Sequence, residues 1–468
     1  MLASNFKRTK IVATMGPAVD SQKTITELVA AGANCLRANM SHGDFVEHER
    51  RIKYARVAQK VLGKPVAVLV DLQGPRIRVG VLPNDGVLLR PGETVRFGFH
   101  ASYEKSGIIP IQYDISKVVK RGETIYLANG AMQVTVKKVV DGTIVAEVTL
   151  GGTLTSKKGI NLPDTDFGGD IFTVKDVADL AFAVAQAADY IGLSFVQTPG
   201  DVTAVKKRLK KLGSSAQVIA KIETKMAVKN LEEIVKVSDA VMVARGDLAM
   251  EILPEQVPIV QQHIIRLGQK HQKPIIVATQ MLLSMVSSPQ PTRAEVSDVA
   301  TAVMQGADAV MLSEETTVGD YPIATVAMMK RIIVETQLMA PPLTGPLISE
   351  DRTKPNAIAA AAITLAEQTS AKVIIAETTT GQTARNVSSF RPSMPIIMVT
   401  HNEAVYRQMA IYWGGKSFFV NNPNKATDVV IDLLKKAGNV HKGDAIVVTS
   451  GHQPGLAGGT DTIRVQIV

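Results

Sequence analysis

One cysteine stands in the whole sequence, Cys35, and it lies inside an apolar run. No disulfide framework and no cysteine-based zinc site can be built within such a chain, and a reducing interior is its natural setting. Aromatic residues are only 4% of the total, too few to supply the stacking platforms of a single-strand nucleic-acid binder. No apolar run approaches the length of a membrane span. The opening MLASNFKRTK has no apolar signal core, so the expected location is the cytoplasm. Acidic residues are in deficit: 43 Asp and Glu face 52 Lys and Arg, a formal charge of +9. That sign favours anionic partners such as nucleotides and phosphoesters. The densest basic run, Lys206 to Lys211, falls in a helical pattern without aromatics and reads as a solvated helix face.

What is present is a regular alternation. At 468 residues, 46% apolar and 20% charged, the chain has room for two or three domains of ordinary globular composition. Eight short apolar, β-prone runs alternate with amphipathic helical stretches: Thr9–Gly16, Ala33–Met40, Val66–Leu72, Tyr190–Phe195, Gln217–Glu223, Ala240–Asp247, Pro274–Gln280 and Ala309–Glu315. This pattern predicts an α/β protein built on a closed (β/α)8 barrel. Between the third and fourth runs the texture changes to short β segments with Gly and Pro punctuation, including a hairpin with an Asp141-Gly142 turn of the two-residue type. The expected organisation is therefore a catalytic barrel over 1–74 and 161–340, with a small inserted β-barrel lid domain over 75–160. A Pro-rich linker from Ala340 to Pro346 leads to an open-sheet α/β domain over 350–468, with strands near Val373–Glu377, Pro395–Thr400, Lys416–Val420 and Asp444–Thr449.

Two of the barrel runs end in charge. VIAKIE closes on Lys221 and Glu223, and VMVARGD closes on Asp247. Residues two apart in a strand point the same way, so Lys221 and Glu223 project together and the neighbouring run brings Asp247 close. Two carboxylates suit a hard divalent cation, and an ammonium beside them can neutralise an anionic substrate. A lone charged triplet at strand ends is more often solvated surface; the rest of the chain decides against that here.

The sequence resembles pyruvate kinases nearly end to end. TKIVATMGPA, Leu36–His48 (LRANMSHGDFVEH), Val70–Arg78 (VDLQGPRIR), Lys157–Pro163 (KKGINLP) and Ala220–Thr224 (AKIET) match that family's motifs in order. So do Met242–Ile252 (MVARGDLAMEI), Ala278–Met285 (ATQMLLSM), Pro291–Ala300 (PTRAEVSDVA) and Met311–Thr316 (MLSEET). The resemblance implies phosphoryl transfer from phosphoenolpyruvate to ADP, giving pyruvate and ATP at the last step of glycolysis. It assigns Glu223 and Asp247 to Mg²⁺ or Mn²⁺, and Lys221 to the transferring phosphoryl group. The backbone of Arg245, Gly246 and Asp247 falls to the substrate carboxylate, and Thr279 to the face where the enolate is protonated. Ser313 and Glu315 are implied in a hydrogen-bonded relay with Thr279. Arg37 and the nucleotide-side residues Asn39, His42, Arg78 and Lys158 also match family positions. A homotetramer is usual in the family. Two other classes compete. A non-catalytic phosphometabolite sensor on this fold has no need to retain Lys221, Glu223, Asp247 and Thr279. Another phosphoenolpyruvate-using barrel leaves the nucleotide-side arginines and appended domain without a purpose.

Departures carry information as well. Many members hold K⁺ through an Asn, a Ser and an Asp, here Asn39, Ser41 and Asp71, and then read Thr-Lys-Gly-Pro-Glu. This chain reads Leu72-Gln73-Gly74-Pro75-Arg76, resembling a K⁺-independent branch whose usual basic residue is Lys. A tethered guanidinium takes the electrostatic role of the ion; a cation ~4 Å from it would meet repulsion of about 1–4 kcal/mol at effective dielectrics of ~80 to ~20. K⁺ is therefore expected to be dispensable. Met226 and Ala227 replace a common acid and glycine, Glu314 a frequent glycine, and Ala128-Asn129-Gly130 a frequent Asp-Asp-Gly. In the last domain Thr378, Thr379, Thr380, Gly381, Gln382 and Thr383 follow a strand and open a helix pattern, matching the family's phosphate pocket for a sugar-phosphate or nucleotide effector, with Gly451–Thr460 as the facing loop.

Overall fold

The computed structural model describes residues 6–75, 77–128, 130–165, 171–339, 353–451 and 460–468. The eight apolar runs form eight short strands, all parallel: Lys10–Thr14, Cys35–Asn39, Ala67–Asp71, Tyr190–Leu193, Gln217–Ile222, Ala240–Ala244, Ile275–Ala278 and Ala309–Leu312. Neighbours pair in sequence order and strand one closes on strand eight, with Lys10 opposite Ala309. The fold is thus a closed (β/α)8 barrel. Each strand is buried on both faces, which is why the runs are continuously apolar rather than alternating.

Alternate residues still have different neighbours. Ile11, Leu36, Val68, Ile191, Val218, Val241, Ile275 and Val310 pack outward against the helices. Val12, Cys35, Leu69, Tyr190, Ile219, Met242, Ile276 and Met311 fill the lumen. The lower lumen is continuous with the core of the C-terminal domain, through Ala362, Ile374, Met398, Met409 and Tyr412. The surrounding helices begin where side chains can cap free N–H groups. Asp44 caps Phe45–Leu62, and Thr173 and Thr292 form capping boxes for Val174–Ala185 and Arg293–Met304.

Between strands three and four the chain builds a six-stranded sheet and a separate two-stranded ribbon. The inserted unit is barrel-like rather than a fully laddered barrel. Thr124–Leu127 to Thr143–Leu150 form the antiparallel centre, and only isolated bridges close the gap between the edges, Arg78 to Gly159 and Val79 to Ile111. The Asp141-Gly142 turn has φ of 48° and 72°, as a type I′ hairpin requires. This unit reaches the active end of the barrel: a Cβ on Gly130 would lie 3.0 Å from Met250 Sδ. Lys225 after strand five pairs with Asp164, on the return from the inserted unit, at 3.0 Å.

The C-terminal domain has the four parallel strands read from the sequence, and a fifth, Thr460–Ile467, antiparallel to Ala445–Gly451 at the sheet edge. The domain is fixed under the barrel by buried charge. Arg391 meets Asp308 at 2.7 Å, Arg407 meets Asp189 at 2.7 Å, and Tyr190 Oη donates to Gln408 O at 2.6 Å. The Lys206–Lys211 run lies on the helix Pro199–Lys211, where Lys207, Lys210 and Lys211 are exposed.

Candidate active site

Lumen parity carries the site. Counting two residues at a time from the packed lumen positions leads from Ile219 to Lys221 and Glu223, from Cys35 to Arg37 and Asn39, and from Leu69 to Asp71. It likewise leads from Tyr190 to Gly192 and Ser194, and from Val12 to Thr14. The apolar lower lumen therefore gives way to polar groups at the carboxyl ends of the strands, the catalytic end of such barrels.

Lys221 is the hub. Its Nζ donates to Ser194 Oγ at 2.7 Å and lies 3.4 Å from both Asp71 Oδ1 and Glu223 Oε2. Ser194 Oγ in turn donates to Leu72 O at 2.7 Å. Asp71 also accepts from Arg37 Nε at 2.7 Å, and Arg37 reaches Thr14 Oγ1 at 3.1 Å. Gly192 makes room for this: a Cβ there would stand 2.7 Å from Asp71 Oδ1. Burial acts on all three ionisable groups, but with different results. It opposes charge on Lys221, yet Asp71 and Glu223 outweigh it and raise the ammonium's pKa. It opposes charge on Asp71, yet Lys221 and Arg37 outweigh it and hold that carboxyl below its ordinary value. For Glu223 burial prevails, helped by nearby Asp247, and the pKa is pushed up in spite of Lys221.

Glu223 accepts from Phe195 N at 2.7 Å through Oε1, while its buried Oε2 has no hydrogen-bond partner. A desolvated carboxylate oxygen in this condition, with a second carboxylate in electrostatic reach, fits a hard divalent cation. Among the described residues no cluster of three or more His, Cys, Asp or Glu could hold a metal by itself. A cation here would complete its shell with substrate oxygens and water, as Mg²⁺ commonly does.

Thr279 has φ of +69°, and Gln280 follows at +53°. For a β-branched residue this is costly backbone, of the kind retained at functional sites. Its Oγ1 accepts from Gly246 N at 2.9 Å and donates to Ala278 O at 2.7 Å. Two details differ from the sequence expectation. Gly246 spends its N–H on Thr279, leaving it committed before any substrate carboxylate arrives. The Arg245 guanidinium turns to Asp298 at 2.7 Å and to Thr279 O at 2.6 Å, bracing the strand-seven turn.

The relay differs too. Glu315 is buried and its oxygens accept from Leu282 N at 3.2 Å and Ser313 N at 2.7 Å. It ties the strand-seven loop to the end of strand eight, and these bonds to backbone replace a direct side-chain chain to Thr279. Burial pushes its pKa up.

The residues that the sequence assigns to the nucleotide side are more open. Asn39 Oδ1 accepts from Ser41 N at 3.2 Å, His42 is exposed with its carbonyl toward His48 Nε2 at 2.8 Å, and Arg78 donates to Lys157 O at 3.0 Å at the base of the inserted unit. Lys158 is exposed on the same loop. Leu72 offers no polar side chain, and its carbonyl already accepts from Ser194. Arg76, Asn129 and most of the Gly451–Thr460 loop lie outside the described residues. In the C-terminal domain Gly381, at φ +84°, donates to Thr378 Oγ1 at 2.9 Å. Thr383 Oγ1 meets Thr460 Oγ1 at 2.6 Å, while Thr379 and Gln382 are half-buried and Thr380 is exposed.

Sequence reading missed Ser194 and Thr14. Their signal was available: each is a polar residue at lumen parity closing an apolar strand.

Comparison with known proteins agrees with this geometry. Residues 6–326 match the family model for the pyruvate kinase barrel domain, and residues 356–466 the model for the pyruvate kinase alpha/beta domain. Pyruvate kinase 2 of Synechocystis is 40% identical over 99% of this chain and 79% of its own length. The pyruvate kinase of Corynebacterium glutamicum is 39% identical over 99% of this chain and 98% of its own. That of Thermotoga maritima is 38% identical, over 98% and 99% respectively. The chain belongs to the pyruvate kinase family.

Proposed function

We infer that the protein transfers the phosphoryl group of phosphoenolpyruvate to ADP, giving pyruvate and ATP, and that the lumen cluster around Lys221 is where it does so. The observation carrying this reading is the Lys221 ammonium held between two buried carboxylates, with Glu223 Oε2 accepting no hydrogen bond beside it. Glu223 and Asp247 would hold Mg²⁺ or Mn²⁺, which supplies Lewis-acid polarisation of the substrate oxygens when bound. Lys221 places positive charge where the phosphoryl group and the enolate gather negative charge. Arg37, fixed by Asp71 and Thr14, offers the rest of its guanidinium fork to phosphate oxygens. Asn39, His42, Arg78 and Lys158 face the nucleotide. Thr279 lines the face of enolate protonation. Its hydroxyl proton is engaged by Ala278 O, which favours delivery from a water it orients over direct donation. Ser313 and Glu315 hold that loop in place.

K⁺ is not required in this reading, because Arg76 carries the corresponding charge. The loop from Thr378 to Thr383 takes the phosphate of a sugar-phosphate or nucleotide effector, and the working form is a cytoplasmic homotetramer. No helix among the described residues is long and apolar enough to cross a membrane. The test is pyruvate formation from phosphoenolpyruvate and ADP with Mg²⁺, with K⁺ present or replaced by a large inert cation. Equal rates are expected. Activity only with K⁺ overturns the reading of Arg76, and absence of activity under both conditions, with Mn²⁺ and effectors tried, overturns the function.

A further inference from the structure

Far from the catalytic end, a cavity of about 280 Å³ opens between the base of the barrel and the C-terminal domain. Five lysines line it: Lys7 and Lys10 at strand one, Lys64 before strand three, Lys330 on the helix Pro322–Met339, and Lys416 on the strand Gly415–Phe419. Among the described residues no aspartate or glutamate lines it, and none of the five lysines forms an ion pair. The carboxylate acting on Lys10 is Asp308, already bound to Arg391 at 2.7 Å.

The lysines are held by neutral oxygens. Lys10 donates to Gly415 O at 2.6 Å, Lys64 to Val29 O at 2.6 Å, and Lys7 to Asn34 Oδ1. Each of these ammonium groups has three donors, so most of the donor capacity of the group remains unspent. Lys10 is only 4% exposed. Burial pulls its pKa down to about 7, and it lowers Lys7 as well, where Lys10, Lys64 and Lys330 add repulsion. Burying like charges without a counter-charge is expensive and calls for an anion.

We propose that this cavity is a binding site for a multiply charged oxyanion, either free phosphate or the phosphoryl end of a small phosphoester. Converging lysine ammonium groups in a desolvated cleft bind such oxyanions through charge-assisted hydrogen bonds. The cavity takes a small ligand only. Because Lys416 and the Gly415 carbonyl come from the C-terminal domain and the other lysines from the barrel, occupancy joins the two domains at a place no catalytic group touches.

Titration of the full-length protein with inorganic phosphate by calorimetry, against sodium chloride at matched ionic strength and in two buffers of different ionisation enthalpy, tests this. Saturable binding with net proton uptake is expected, since the anion re-protonates lysines that burial discharges. In K64Q/K330Q the affinity should fall at least about tenfold, the scale of a lost hydrogen bond to a charged group, with turnover unchanged. K416Q gives a second reading should the double variant fail to fold. Glycerol phosphate binding more tightly than phosphate points to a phosphoester; equal or weaker binding points to the free ion. Phosphate binding unaltered in both variants, or none beyond the chloride control, overturns the proposal. Neither result bears on the catalytic assignment, which pyruvate formation reads separately.

Discussion

Asp71 is the residue whose removal should expose how the site is built. Its carboxylate is 1% exposed and stands between Arg37 Nε at 2.7 Å and Lys221 Nζ at 3.4 Å. At 3.4 Å and an effective dielectric of ~20, the Lys221 pair alone is worth about 5 kcal/mol of Coulomb attraction before desolvation is counted. Asp71→Asn keeps the shape and removes the charge, leaving two buried cations facing a neutral amide; the loss expected for breaking such a pair is about 3–5 kcal/mol. The ammonium should then swing toward Glu223, its remaining carboxylate neighbour at 3.4 Å. A misplacement of about 1 Å costs about 10²-fold in rate. The assay is steady-state pyruvate formation with lactate dehydrogenase coupling, alongside circular dichroism to confirm folding. A kcat reduced about a hundredfold at saturating substrates, in a folded protein, is expected. Ser194→Ala removes one neutral acceptor and leaves both carboxylates, so it should cost only about tenfold. A folded Asp71→Asn enzyme with kcat near wild type would refute the claim that Asp71 positions Lys221.

Other consequences follow from single contacts. Glu223→Gln should weaken Mn²⁺ binding by more than tenfold, read by the paramagnetic signal of the free ion, since the amide supplies a poorer ligand than a carboxylate. Arg391→Met leaves Asp308, itself 3% exposed, without its cation; a loss of about 3–5 kcal/mol is expected, seen as earlier thermal unfolding. Removing the exposed Lys225–Asp164 pair with Lys225→Gln should change stability by less than about 1 kcal/mol. Lys10 has a folded pKa of about 7, below its ordinary 10.5. Its burial therefore costs nothing above the ordinary value and progressively more as pH falls toward the folded one. Lys10→Met should flatten the decline of thermal stability across that window, measured in buffers without phosphate.

Much of the fold was legible because barrel strands are buried on both faces. That condition writes itself as short continuous apolar runs such as KIVAT and AVMVA. The strand ends were legible for the same reason, since a charge that closes an apolar run stands out. The edge strand Thr460–Ile467 was not read. All but its first residue are half-buried or exposed, and only pairing with Ala445–Gly451 distinguishes it from a tail. Lys221 and Glu223 could be placed together by parity. What Asp71 does to them could not, because strand three reaches strand five only through the closed lumen and the gap left by Gly192. The competition for Thr279 and Gly246 was equally hidden: a hydroxyl's partners depend on a φ of +69° that the sequence does not announce.

In the proposed function Lys221 serves phosphoryl transfer and the Thr279 turn serves proton transfer at the enolate carbon. The most direct test measures both half-reactions in one variant: phosphoryl transfer to ADP, and exchange of the pyruvate methyl protons with heavy water, in Lys221→Met. The account predicts a transfer rate at least about 10³-fold lower, the scale of removing one group that stabilises transition-state charge, with exchange retained. Undiminished phosphoryl transfer in that variant would contradict it.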